Sequence, residues 1–326
     1  MQILAERDRN DAQARTKRQN QPAFAGAAAE IRRVMAQSFG RWPIAAGLLW
    51  VLTLTSVQAT VADDIAAGDQ AWARRADGHL GSRASPQPIQ SAIDAYSRAL
   101  NGAPGNLDAR WKLLRAYHFK GEFVLRDNGE RLELFRQGRE IARAGQQRIE
   151  EDFGLAGGLL RMEPADVAAA VGGDAAVGEF LFWGAANWGL WAQYSGKLMA
   201  AIWGVVYRIR QYANIMVLLD DRIEEGGAHR LLGRFLAVVP KIPLFTGWVD
   251  RDKAIDELRL SLRVAPDSLL SKIYLAEALL KFRPGDRQEE LGILRDIVAS
   301  QPSPERLVED TRVIEDAGAL LVLETG

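Results

Sequence analysis

The stretch AIDAYSRALNGAPGNLDARWKLLRAY, Ala92 to Tyr117, lies without a gap on AIDELRLSLRVAPDSLLSKIYLAEAL, Ala254 to Leu279. Ala92 matches Ala254, Ile93 matches Ile255, and Asp94 matches Asp256. Farther on, Leu100, Ala103, Pro104, Leu113 and Ala116 match Leu262, Ala265, Pro266, Leu275 and Ala278. Self-similarity of this kind marks a chain built from repeated supersecondary units. Each copy reads as a helix, a proline-marked turn and a second helix. In the first copy Ala92, Tyr96 and Ala99 share one helical face, with small residues where two helices approach closely. Pro104 closes the turn because its ring cannot continue a helix.

The spacing is that of the second helix of a tetratricopeptide repeat. Leu113, Leu114, Ala116, Tyr117 and Gly121 then fall near the leucine, small, aromatic and glycine positions of the next repeat's first helix, with Trp111 one position late. Further hairpins are expected at 63–77, at 131–150, where Leu134, Gly138, Ile141 and Ala142 keep helical spacing, and at 289–322. Alternating strand patterns are almost absent. The expected fold is therefore all-α, with tetratricopeptide-like helical hairpins forming a compact solenoid around a central apolar helix. One domain is expected over 63–326, with a divergent, aromatic-rich middle at 155–250. Glycine pairs at 157–158, 172–173 and 226–227 should mark turns and helix ends.

The chain of 326 residues is 48% hydrophobic and 25% charged, a globular composition. Its net charge is −1, and no lysine and arginine cluster recurs along a folded segment, so nucleic acid is not an expected partner. Zero cysteines excludes disulfides, thiol catalysis and a lipidated cysteine. From Met35, a start with Arg41, an apolar run Ile44 to Leu54 and small residues around Ala59 and Ala62 read as a secretory signal peptide. Residues 1–62 are thus expected to be an N-terminal extension plus signal, with Met35 as the start. Without them 33 basic residues face 38 acidic ones, a net charge of −5. Three histidines, His79, His118 and His229, show no metal-ligand spacing, and there is no P-loop, GxSxG elbow or Ser-x-x-Lys. No enzyme, cofactor or metal is expected. Asp220, Asp221, Glu224 and Glu225 read as a solvated helix end.

The stretch GEFLFWGAANWGLW, Gly178 to Trp191, opens a long apolar run to Tyr207. Asn187, Gln193, Ser195 and Lys197 interrupt it, and a lysine near mid-span is costly in lipid, so a membrane span is not expected. On one continuous helix Trp188, Trp191 and the pair Met199/Trp203 share a face, and Trp183, Asn187 and Leu190 another. Two compatible readings remain. The run is the solenoid's central core helix, or Trp183, Asn187, Trp188, Trp191 and Trp203 line an apolar cavity for a hydrophobic ligand.

Two blocks, FWGAANWGLWAQYSGKLMAAIWG and AHRLLGRFLAVVPKIPLFTGWVDRDKAIDELRLSLRVAPDSLLSKIYLAEALL, resemble the T component of tripartite ATP-independent periplasmic (TRAP) transporters. The resemblance covers roughly 63–300 and rests on Arg230, Leu232, Gly233, Pro240, Gly247, Lys253, Ala254 and the Ala265-Pro266 turn. It implies a periplasmic tetratricopeptide-like accessory protein that binds the transporter's solute-binding protein and a hydrophobic solute, and that forms homo-oligomers, including trimers. Members are often lipoproteins; this chain has no cysteine to carry the lipid.

Overall fold

Helix boundaries follow local chemistry. A computed structural model describes residues 60–195, 198–241, 247 and 249–325, with the side chains of 198–203 outside the description. The signal peptide and extension expected at 1–62 fall, up to residue 59, outside the described residues. Twelve helices follow: α1 (60–73), α2 (Pro86–Gly102), α3 (Leu107–Phe123), α4 (Asn128–Asp152), α5 (Pro164–Val171), α6 (Ala175–Tyr194), α7 (Leu198–Leu219), α8 (Gly227–Val238), α9 (Arg251–Val264), α10 (Leu269–Phe282), α11 (Arg287–Ala299) and α12 (Leu307–Thr325). Pro86 and Pro164 stand in first turns, where a missing N–H costs nothing. Asn106, Asp127, Asp174, Asp250 and Ser268 cap their helices by accepting from free backbone N–H groups. Among the described residues the fold is all-helical, with one isolated bridge between Leu80 and Arg83.

The two matched stretches fold alike. The turn residue after α2, Ala103, has φ −140° and ψ 83°; its counterpart after α9, Ala265, has −134° and 84°. Each turn donates its N–H to the equivalent carbonyl, of Ala99 or Ser261, and ends on a capping residue, Asn106 or Ser268. The inward positions are buried in both copies: Ala92, Ile93, Tyr96, Ala99, Ala109, Leu113 and Ala116 in the first, Ala254, Ile255, Leu258, Ser261, Ser271, Leu275 and Ala278 in the second. The proline that cannot extend a helix and the small residues that let helices meet thus act identically at both ends of the chain.

The middle departs from the sequence reading in two places. Residues 131–150 form no hairpin; they lie inside α4, a single helix of 25 residues. The apolar run does not continue as one helix to Tyr207 either: α6 ends at Tyr194, capped at Ser195, and α7 begins at Leu198. The α4–α6 seam explains how a tryptophan-rich helix packs so close. A Cβ at Gly138 would stand 2.3 Å from Asn187 Oδ1, and one at Gly145 2.3 Å from Phe180 Cε2. Between them Gly184 faces Ala142. Antiparallel helices with bare positions seven residues apart thus receive Asn187 and Phe180, also seven apart.

The largest core cluster joins α3 through α10, with Phe180, Leu181, Tyr212, Ile215, Met216 and Leu258 fully enclosed. At the far end α12 returns to the beginning. Val308 packs into the cluster of Ala71, Ile89, Tyr96 and Phe119. Arg75, in the turn after α1, pairs with Glu309 at 2.9 Å and donates to the Glu305 carbonyl, and Arg312 donates to Ser82 Oγ at 3.1 Å. No described helix is long and apolar enough to cross a membrane.

Candidate functional site: a polar interior around Trp183

α6, held at its start by the Asp174 cap, brings Glu179 and Trp183 onto one face a turn apart. The Trp183 indole donates to Glu224 Oε1 at 2.9 Å, and its ring meets His118 edge-on at 5.3 Å and Phe182 at 5.0 Å. From α3, the Arg115 guanidinium lies 4.0 Å from the Trp72 ring and 4.8 Å from Trp111, within cation–π range. Arg115 Nε and Glu179 Oε2 are both enclosed without a hydrogen-bond partner.

Electrostatics here oppose ordinary ionisation. Burial, reinforced by the neighbouring Glu224 carboxylate, pushes Glu179 up to about 8, against the pull of Arg115. The Glu179 carboxyl thus holds its proton well above the ordinary carboxylate range. Burial lowers the His118 pKa, with Glu122 and Glu224 opposing. Tyr274 on α10 is raised by burial, and the charges of Glu277 and Glu122 add to the effect. Arg234 lies 4.3 Å from the Tyr274 ring and is paired with Glu277.

The turn that presents Glu224 is unusual. Glu224 and Glu225 have φ of 48° and 56°, followed by Gly226 at 72°. For residues with a Cβ the left-handed conformation costs about 1–2 kcal/mol each. Gly226 admits no side chain, because a Cβ there would meet the Ser261 carbonyl oxygen at 2.9 Å. Buried Arg230 holds the turn by donating to the Glu224 carbonyl at 2.8 Å and the Glu225 carbonyl at 3.1 Å. Outside, Glu225 pairs with Arg306 at 2.5 Å.

The structure splits the five sequence-expected residues. Trp183 belongs to the polar interior. Asn187 is fully buried and donates from Nδ2 to the Leu114 and Trp183 carbonyls, both at 2.9 Å, so its amide joins α6 to α3. Trp188 and Trp191 meet edge-on at 5.9 Å and are faced by arginines: Arg139 at 4.1 Å from Trp191, and Arg208 at 4.4 Å from Trp188. The side chain of Trp203 lies outside the described residues. The acidic patch also divides: Asp220 makes an exposed pair with Arg222, while Glu224 turns inward. Among the described residues no group of three or more histidines, aspartates or glutamates is arranged to hold a metal.

No family model matches the chain, and no curated protein matches it.

A second polar group went unread in the sequence. His229 Nδ1 and Glu257 Oε2 are 2.7 Å apart and buried between α8 and α9. Ser261, Ser271 and Ser268 form a hydroxyl chain beside them, with Ser261 donating to the Gly226 carbonyl at 3.0 Å. At the matched positions of the first copy stand Ala95, Ala99, Ala109 and the cap Asn106. Comparing the copies position by position is the signal that singles these residues out: at three interior slots one copy carries methyls and the other hydrogen bonds.

Proposed function

We propose that the protein is a non-enzymatic, exported tetratricopeptide-type accessory protein of a TRAP transporter, working in the periplasm by binding the solute-binding protein. The observation that carries this reading is the pair of matched helix–turn–helix units, with the same turn dihedrals and the same buried positions. The two resembling blocks, Phe182–Gly204 and Ala228–Leu280, support it. In this reading the hairpins form a tetratricopeptide-like solenoid, and a hydrophobic solute is a second ligand. Surface plasmon resonance between the full-length protein and the transporter's solute-binding protein tests it. Saturable binding in the micromolar range is expected, and no binding up to about 1 mM would sink it.

A second reading, an exported helical scaffold for envelope proteins without a small ligand, is favoured by one specific observation. Asn187 is sealed in the core, and the rings of Trp188 and Trp191 are faced by Arg208 and Arg139. Native mass spectrometry of the full-length protein separates the two. A co-purifying apolar molecule argues for the solute, and an empty protein that still binds its partner argues for the scaffold.

A further inference from the structure

Where side chains of α4 and α7 meet beside the second half of α6, hydrogen-bond donors outnumber acceptors. Arg208 on α7 lies 4.4 Å from the Trp188 ring and donates from Nη1 to Gln146 on α4 and, at 3.1 Å, to the Tyr212 hydroxyl. Both acceptors are neutral, so they leave the guanidinium charge unbalanced. Glu150, a turn along α4 from Gln146, already uses Oε1 for Gln146 Nε2 at 2.7 Å and the Leu159 N–H at 2.8 Å. Two donors are enclosed with no acceptor in reach, Arg208 Nε and Trp188 Nε1. From α4, Arg139 comes within 5.5 Å of the Trp188 ring and 4.1 Å of Trp191, its own charge met by Glu140 at 2.8 Å. One turn before Arg208 there is open space, since a Cβ at Gly204 would meet no atom within 4 Å.

We infer that this cluster is a binding site for a small organic carboxylate with an apolar body: the carboxylate accepts from Arg208 Nε and the Trp188 indole N–H, and the body lies against the Trp188 and Trp191 rings. The charges present select that class. Glu140 balances Arg139, so one positive charge, that of Arg208, is unmet, and a singly charged carboxylate balances it. A phosphate dianion would carry surplus negative charge into a half-buried setting. Donors on two different side chains suit the two oxygens of a carboxylate, and a bond between charged partners is about twice as strong as a neutral one. An enclosed donor without an acceptor destabilises the fold, and ligand oxygens remove that penalty on binding. Both donors are closed to solvent, so the ligand reaches them as Arg139 turns aside; that side chain is 24% exposed and its ion pair is with the next residue along the helix. A molecule without a charged end would leave both donors unmet, so the site calls for a different ligand from the purely hydrophobic solute considered above. The inference stands on these side chains alone and is independent of the transporter reading, which binding to the solute-binding protein tests separately.

Isothermal titration calorimetry of the full-length protein with 3-phenylpropionate tests the site. Saturable binding is expected below about 1 mM, with 3-phenylpropanamide, which keeps the body and lacks the charge, at least about tenfold weaker. Arg208→Gln should weaken 3-phenylpropionate about tenfold, and Trp188→Phe, which keeps an aromatic ring and removes the N–H, by about threefold. Arg136→Gln, an exposed position on α4 paired with Glu133, should leave binding unchanged and so rule out general attraction to the arginines of that helix. Circular dichroism checks that each variant is folded, and if Arg208→Gln is not, Trp188→Phe carries the comparison. No saturation up to about 1 mM would mean that water suffices for these donors and would overturn the inference. Equal affinity for the amide, tighter binding of inorganic phosphate, or unchanged binding in the folded site variants would overturn it too.

Discussion

At Gly138 a single added methyl would stand 2.3 Å from the oxygen of a fully buried side chain, Asn187, which donates to two backbone carbonyls and has no slack. Gly138→Ala should therefore lower stability by about 1–3 kcal/mol, read as a lower urea midpoint at unchanged slope. An unchanged midpoint would mean the α4–α6 seam is looser than described. Glu179 makes a second residue-scale prediction. Its pKa is raised on folding, so the native state holds a proton that the unfolded chain has already released between about pH 4.5 and 8. Stability should fall as pH rises through that window, and Glu179→Gln should flatten the slope. Residues of this kind were the least legible in the sequence. Glu224 sits in the run Asp220 to Glu225, which composition assigns to solvent. What turns it inward is a left-handed backbone and a tryptophan 41 positions away in sequence, and neither has a local sign.

Elements were far more legible, because their signals are local. Pro104 and Pro266, the small residues at matched positions and the capping side chains place α2, α3, α9 and α10 where the repeat comparison put them. One error came where a hairpin was expected within the unbroken helix α4, the other where apolar periodicity runs on past a break. Leu198 to Leu219 keeps the apolar helical pattern of α6, so the pattern alone does not tell two helices from one. The matched copies also supply an element-scale test. His229→Ala leaves Glu257 buried without its hydrogen-bond partner and should cost about 1–3 kcal/mol. The double change His229→Leu with Glu257→Ala restores the apolar character of the first copy, where Ala95 fills the slot, and should cost less than the single change. Urea unfolding of the singles and the double gives the comparison; a double at least as damaging as His229→Ala would show that the pair is more than an alternative filling.

At the scale of the molecule, the meeting of α12 with the turns that follow α1, through Arg75, Glu309, Ser82 and Arg312, joins residues more than 200 positions apart. Nothing in the sequence announces this, since it depends on the accumulated angles of every intervening helix pair. Arg75→Ala removes one side of an ion pair and a bond to the Glu305 carbonyl, and should weaken the attachment of α12 by about 1–3 kcal/mol. Faster proteolysis after residue 300, with α9 and α10 still protected, is the expected readout; uniform loss of protection would place the contact inside one global unfolding unit. The closure carries a further consequence for how such a chain evolves. In an open array, a duplicated or deleted hairpin only lengthens or shortens the row, because each unit touches its neighbours alone. Here an extra hairpin would carry α12 past Arg75, and a missing one would leave it short, so the copy number is locked and variation is confined to exchanging residues within slots, as Ala95 and Glu257 already show.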